Sequence, residues 1–213
     1  MKTIFIEAKY KGEFDVSKIG KLPSKVGVVC SVQFVNYLDK VEKYLSSKGV
    51  KVFVSKGNQA NKGQILGCNA SAAFTIKDKV DAFLYIGDGR FHPIAVGLNS
   101  DKPVFVFNPI SGQFKELDKK VIVDYKKRKK GALINFYASE NVGVLITSKS
   151  GQNINLDLIN KKLEKFDKNY YYFMFETLEF NQLENFRFID AWINTACPRI
   201  DEDIKVLNIE ELV

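Results

Sequence analysis

The segment Val80-Asp81-Ala82-Phe83-Leu84-Tyr85-Ile86 returns in shortened form as Ile189-Asp190-Ala191-Trp192-Ile193, and the apolar run that starts at Val26 returns at Val142. The two echoes keep nearly one spacing, 189 − 80 = 109 positions for the first and 142 − 26 = 116 for the second. A chain with this pattern reads as two copies of one small unit. In the first copy Val26-Gly27-Val28-Val29-Cys30 suits a buried strand, and Phe34, Leu38, Val41 and Leu45 recur at helical spacing until Gly49 stops the helix. Further strands are expected at 50–54, 82–86 and 103–107, with a more polar one near Val121-Ile122-Val123. In the second copy a strand at 141–146 precedes an amphipathic helix through Ile154, Leu158, Ile159, Leu163 and Phe166, and Tyr170 to Phe175 supplies another strand. Strands alternating with helices require crossover connections, so the expected fold is α/β: two similar small domains with mainly parallel sheets flanked by helices.

The expected domains are 24–137 and 138–213. Residues 1–23 do not fit the duplication. Lys2-Thr3-Ile4-Phe5-Ile6-Glu7 reads as a strand and Val16 to Leu22 as a short helical turn, with no strand before them to make a unit. They are expected to be a remnant strand and exit linker of a first domain that is absent, and such an orphan edge needs a sheet to join.

Composition narrows the function classes. The 213 residues are 46% hydrophobic and 13% aromatic, enough for globular packing. No apolar run approaches the roughly 20 residues of a membrane span, and the amino terminus lacks a signal-peptide segment, so a cytoplasmic protein is expected. Three cysteines make a disulfide framework a poor reading and leave metal binding, catalysis or burial. The net charge of +7 is dispersed along the chain and favours an anionic partner. The basic run Lys126 to Lys130 reads as a solvated helix face, with docking to an anionic macromolecule as the other reading.

Chemistry in open α/β sheets concentrates at the carboxyl ends of the strands. Gly87-Asp88-Gly89-Arg90-Phe91-His92-Pro93 follows such a strand. Its glycines let backbone amides approach a ligand, and Arg90 offers a planar fork for a carboxylate. His92 alone would read as a hydrogen-bonded structural residue; its surroundings favour a functional one. Gln33 after the first strand, and Ser148, Gly151 and Gln152 after its counterpart, occupy equivalent strand-to-helix corners, where helix amino termini attract anions. Cys68 follows Gly67 in a loop that leads into small residues, and Cys197 lies just past the strand at Trp192 with Pro198 stiffening the chain behind it. Either could be a buried thiol or a ligand. Cys30, in or at the end of an apolar strand, reads as a core residue.

Five segments together carry a resemblance: Gly63-Gln64-Ile65-Leu66-Gly67-Cys68-Asn69, Ile86 to Pro93, Asn108-Pro109 with Ser111-Gly112, Ser148-Lys149-Ser150-Gly151-Gln152, and Asn194-Thr195-Ala196-Cys197-Pro198-Arg199-Ile200-Asp201. They resemble the diphthamide synthase family of archaea and eukaryotes. The resemblance implies similar α/β domains around a central site, each giving one cysteine to a [4Fe–4S] cluster whose open iron engages S-adenosylmethionine. It implies cleavage to a 3-amino-3-carboxypropyl radical, which adds to a histidine of translation elongation factor 2. Cys68 and Cys197 carry over as cluster ligands. Gln33, Gly87, Gly89, Arg90, His92, Ser148, Gly151, Gln152 and Arg199 carry over as lining of the S-adenosylmethionine pocket.

Family members have a complete domain upstream that carries the remaining cluster cysteine. Three explanations stay open: a separate chain brings the first domain and third cysteine, Cys30 substitutes as a ligand, or the chain is a non-catalytic, degenerate subunit. The split enzyme is preferred. The resemblance further implies an external electron donor and a homo- or hetero-oligomer. A two-lobed small-molecule-binding protein and a nucleic-acid-binding protein are the alternatives from other classes, and the scattered charge speaks against the second.

Overall fold

The computed structural model describes residues 4–152 and 155–212 and divides into two compact units, Met1–Val123 and Asp124–Val213. In the first, β1 (Lys25–Cys30), β2 (Lys51–Phe53), β3 (Ala82–Ile86), β4 (Val104–Phe107) and β5 (Phe114–Glu116) form one sheet in the order β2-β1-β3-β4-β5. All its pairings are parallel except β4 with β5. Helices α1 (Leu38–Ser47), α2 (Ser71–Phe74) and α3 (Phe91–Leu98) make the crossovers. In the second unit β6 (Asn141–Thr147), β7 (Asn169–Phe175), β8 (Ala191–Asn194) and β9 (Leu207–Asn208) pair in the order β7-β6-β8-β9, all parallel. α5 (Leu156–Leu163) joins β6 to β7.

The duplication is visible in the registers. Both sheets place the second strand, the first, the third and the fourth side by side, and Val26 opposite Ala82 matches Val142 opposite Ala191. One packing device recurs: Gly27 lies opposite Phe83, and Gly143 opposite Trp192. A Cβ on Gly27 would stand 2.7 Å from the Phe83 ring, and one on Gly143 2.3 Å from the Trp192 ring. Each aromatic therefore lies over the bare backbone of the neighbouring strand. A second device closes the strand entrances. The Asp81 amide donates to the Lys25 carbonyl at 2.8 Å, and the Asp190 amide to that of Asn141 at 2.9 Å. The two carboxylates in turn accept from Ser24 in one unit and from the Glu140 and Asn141 amides in the other.

Local sequence explains the helices. Leu38, Val41 and Leu45 bury one stripe of α1. Gly49, at φ 80°, ends it as a Schellman cap: its amide reaches the Ser46 carbonyl and the Val50 amide that of Leu45, each at 3.0 Å. Asn155 caps α5 by accepting from the Asp157 amide at 2.8 Å. Ile154, expected on this helix, lies outside the described residues.

Two expectations are corrected. Val121-Ile122-Val123 is not a strand but belongs to α4 (Lys119–Ala138). Its β-branched residues favour strands, yet Tyr125, Ala132 and Phe136 bury one helical stripe, and burial outweighs intrinsic preference. Residues 10–22 are not a free linker: Tyr10, Phe14, Val16, Ile19 and Leu22 pack with Phe34 and Phe107 in the first unit's core. Residues 4–9 carry no ladder hydrogen bonds, and Ile4, Phe5 and Ile6 are 74–88% exposed. Among the described residues no helix is long and apolar enough to cross a membrane.

Gly27→Ala and Gly143→Ala should each lower unfolding free energy by about 1–3 kcal/mol, because the aromatic ring must be displaced; equilibrium denaturation measures this. Burial pushes the Cys30 thiol from an ordinary value of 9.0 up to about 12. The folded chain thus keeps a proton that the unfolded chain releases above pH 9. This contribution to stability is complete below about pH 9 and is lost as pH rises toward 12, at up to about 1.4 kcal/mol per pH unit. Cys30→Ala should flatten the fall in denaturation midpoint over that window.

Candidate active site

In a sheet ordered second-first-third-fourth, the connections leaving the first and third strands depart to opposite sides, which opens a crevice at their carboxyl ends. The crevice of the first unit lies past Cys30 and Ile86, and that of the second past Leu145 and Asn194.

In the first unit, Gln33 is exposed in the 3-10 turn that follows β1. After β3, Gly87 runs so close to Tyr85 that a Cβ would sit 2.3 Å from the phenol oxygen, and Gly89 takes φ 72°, a left-handed conformation that favours glycine. Between them Asp88 Oδ1 accepts from the Gly89 amide (2.7 Å) and from Asn108 Nδ2 (2.8 Å), tying this loop to the turn after β4. Asn108 Oδ1 holds that turn by accepting from the Ile110 and Ser111 amides. Arg90 is exposed at the cap of α3, and His92 in the first turn stacks on the Tyr85 ring, centroids 5.6 Å apart and planes 8° from parallel.

The Cys68 loop is built onto the same edge. Cys30 and Gln64 form an isolated parallel bridge: the Cys30 amide donates to the Gly63 carbonyl and the Ile65 amide to that of Cys30, each at 2.9 Å. Leu66 and Asn69 then exchange two hydrogen bonds, of 2.9 and 3.0 Å, which leaves Gly67 and Cys68 at the tip of a tight turn. A Cβ on Gly67 would meet the Phe91 ring at 1.8 Å, so the tip rests on the residue beside Arg90. Cys68 is exposed there. Cys30, only a few residues away in the ladder, is wholly buried, and its raised ionisation makes it a poor source of thiolate.

In the second unit the Gln152 amide donates to the Lys149 carbonyl at 3.1 Å, closing a turn with Gly151 at φ 80° in its third position, as a type II turn requires. Ser148, Gly151 and Gln152 are exposed. Past β8, Thr195 anchors to the Leu145 carbonyl through both its amide (3.1 Å) and its hydroxyl (2.8 Å). Cys197 follows, half-buried, at the cap of a 3-10 turn over Pro198–Glu202. Arg199 is exposed, with Nε 3.6 Å from Glu202. Counted along the chain at the strand offset of 109, Asp88 falls at Cys197 and Arg90 at Arg199, both past the last paired positions, Ile86 and Asn194. Arg90 caps an α-helix, whereas Arg199 sits within a 3-10 turn.

The chemistry of the donor set suits a soft metal centre: each unit presents one solvent-reaching thiol at a sheet's carboxyl edge. Among the described residues no three His, Cys, Asp or Glu side chains are placed to hold a metal ion by themselves. Asp88, Asn108, Asn194 and Asn208 were not singled out from sequence; the first three sit inside quoted motifs, whereas Asn208 had no local signal.

A family model described as "Putative diphthamide synthesis protein" matches residues 1–205. The 2-(3-amino-3-carboxypropyl)histidine synthase of Pyrococcus horikoshii is 29% identical over 194 residues, covering 89% of this chain and 54% of that protein. Subunit 1 of the Schizosaccharomyces pombe synthase is 27% identical, covering 94% and 48%. A crystal structure of Dph2 from P. horikoshii with a 4Fe-4S cluster superimposes with a TM-score of 0.74 at 27% identity, over 92% of this chain and 57% of that one. The chain thus spans about half the length of these relatives.

Native-state labelling with iodoacetamide, mapped by mass spectrometry, should modify Cys68 fastest, Cys197 more slowly and Cys30 only after denaturation.

Proposed function

Because the chain belongs to the diphthamide synthesis protein family, we propose that it forms part of a 2-(3-amino-3-carboxypropyl)histidine synthase acting on a histidine of translation elongation factor 2, with S-adenosylmethionine as donor. The observation that carries this reading is the placement of Cys68 and Cys197, each on a braced turn at the carboxyl edge of a parallel sheet, where thiolate can reach a ligand. Each supplies one ligand to a [4Fe–4S] cluster, as the relative with a 4Fe-4S cluster encourages. Such a cluster would supply the electron that cleaves a sulfonium C–S bond.

The remaining residues bind and orient. Arg90, Arg199 or the Gly151 corner offers a seat for the carboxylate of the methionyl portion. Gln33, Ser148 and Gln152 offer hydrogen bonds at the strand-to-helix corners. The lack of side chains at Gly87, Gly89 and Gly151 lets the ligand lie against backbone amides. His92, stacked on Tyr85, gives the pocket a flat wall. In the overall transfer the bond from sulfur to the aminocarboxypropyl carbon breaks, a bond from that carbon to imidazole C2 forms, and the thioether 5′-methylthioadenosine and a proton leave.

Two thiolates are fewer than this chemistry needs. The burial of Cys30 speaks against it as the third, so a further thiolate comes from outside these 213 residues, together with an external reductant. The relatives called subunit 1 support an assembly of more than one chain.

The test is anaerobic reconstitution with iron and sulfide in the presence of a first-domain chain from a relative. Cys68→Ala and Cys197→Ala should each reduce bound iron at least about tenfold and abolish transfer of label from carboxyl-labelled S-adenosylmethionine to elongation factor 2, while Cys30→Ala retains both. Iron content unaffected by either ligand substitution would refute the reading.

A further inference from the structure

We propose that Tyr125, Asp201, Asn208 and Asn194 are positioning residues for Cys197, joined in one hydrogen-bonded chain that ends on its backbone. The inference deepens the reading of Cys197 as a ligand and rests on it for its functional meaning. Asn194 ends β8 and Asn208 ends β9; they are 1% and 3% exposed. Asn194 Nδ2 donates one hydrogen to the Cys197 carbonyl (2.9 Å) and the other to Asn208 Oδ1 (2.7 Å), while its Oδ1 accepts from the Ala196 amide (3.0 Å). Asn208 Nδ2 donates to Asp201 Oδ2 at 2.9 Å. The same oxygen accepts from the Tyr125 hydroxyl of α4 at 2.5 Å.

Every link has a direction. The Ala196 amide can only donate, so it fixes which end of the Asn194 amide is oxygen; that fixes Asn208, and the Asn208 nitrogen requires the acceptor that Asp201 supplies. Burial of the Tyr125 phenol and its bond to Asp201 both push its ionisation up, so it remains a donor. The Cys197 carbonyl is thereby held from two sides, by Asn194 and by the Ile200 amide at 3.1 Å. With Pro198 next in the chain restricting the Cys197 backbone, a fixed carbonyl sets the position and direction of the Cα–Cβ bond from which Sγ swings among its staggered rotamers.

Two buried asparagines and a partly buried aspartate, whose Oδ1 is itself buried without a hydrogen-bond partner, cost stability that apolar residues would not. Their arrangement is explained by where the chain of bonds ends. The first unit braces the loop after its third strand in a related way: Asn108, just past β4, donates to Asp88. Tyr125 and Asp201 also line a cavity of about 350 Å³ between α4 and residues 201–206, so the far end of the chain of bonds reaches solvent.

The test uses the full chain carrying Cys68→Ser, in which Cys30 is protected by burial, and reads the iodoacetamide rate at Cys197 together with the thermal midpoint. Tyr125→Phe and Asn208→Leu should each raise the rate about tenfold in folded protein. Asp201→Asn, which keeps an oxygen for both donors, should stay within about threefold of the parent, and the Tyr125→Phe/Asn208→Leu pair should exceed neither single change, because Tyr125 reaches Cys197 only by way of Asp201 and Asn208. Rates unchanged within twofold would overturn the proposal, as would effects that multiply in the pair and follow the loss of global stability. If Asn208→Leu does not fold, the loss of one hydroxyl in Tyr125→Phe decides alone. No cluster is read, so failure of the chain to bind iron would refute the proposed function without touching this inference.

Discussion

Each sheet depends on one close packing: an aromatic side chain of the third strand lying across a glycine of the first. Phe83 over Gly27 and Trp192 over Gly143 occupy the same register in the two copies. A side chain at either glycine would hold the ring away from the backbone, so the pair favours the adjacency of first and third strands. That adjacency opens a crevice at the carboxyl ends, because the first strand's crossover goes one way and the third's the other. The packing core and the site are consequences of the same contact.

The cysteines show how little distance separates a reactive thiol from an inert one. Cys30 lies in the ladder with both its amide and carbonyl bonded to the segment that leads to Cys68. Desolvation keeps the Cys30 thiol protonated, while the Leu66–Asn69 turn lifts Cys68 out of the sheet into solvent. The Gly67 contact with Phe91 then fixes where the tip rests. Cys197 is reached by a different route, past β8 and into a proline-stiffened turn. The copies share their scaffold but not their thiol positions; the loop after the third strand of the first unit holds no cysteine and is braced by Asp88. A duplicated frame thus carries two loop chemistries, in keeping with the freedom of strand-end loops to vary while the sheet beneath them is held by packing.

Much of this was readable from the residues. The strands at Val26, Ala82, Val104 and Asn141 followed from short apolar runs, and α1 from the spacing of Leu38, Val41 and Leu45. The strand expected at Val121 failed because three β-branched residues in a row look the same in a strand and in a helix whose buried stripe begins later, at Tyr125. β9 was missed because two residues leave no period to detect. The site residues in glycine-rich turns were legible because the conformations of Gly89 and Gly151 nearly demand glycine.

The sequence by itself determined the duplicated α/β plan, the two loops bearing Cys68 and Cys197, and the membership that their motifs imply. Those are properties of local order: periodicity, turn chemistry and short motifs survive in the linear chain. Only the tertiary structure decided that residues 10–22 belong to the first unit's core, that Asn208 reaches the Cys197 carbonyl through Asn194, and that Tyr125 joins them through Asp201. Burial and hydrogen-bond partnership depend on which distant segments the sheet brings together, and Tyr125 meets a residue 76 positions away. No pattern within a window of sequence records such a meeting.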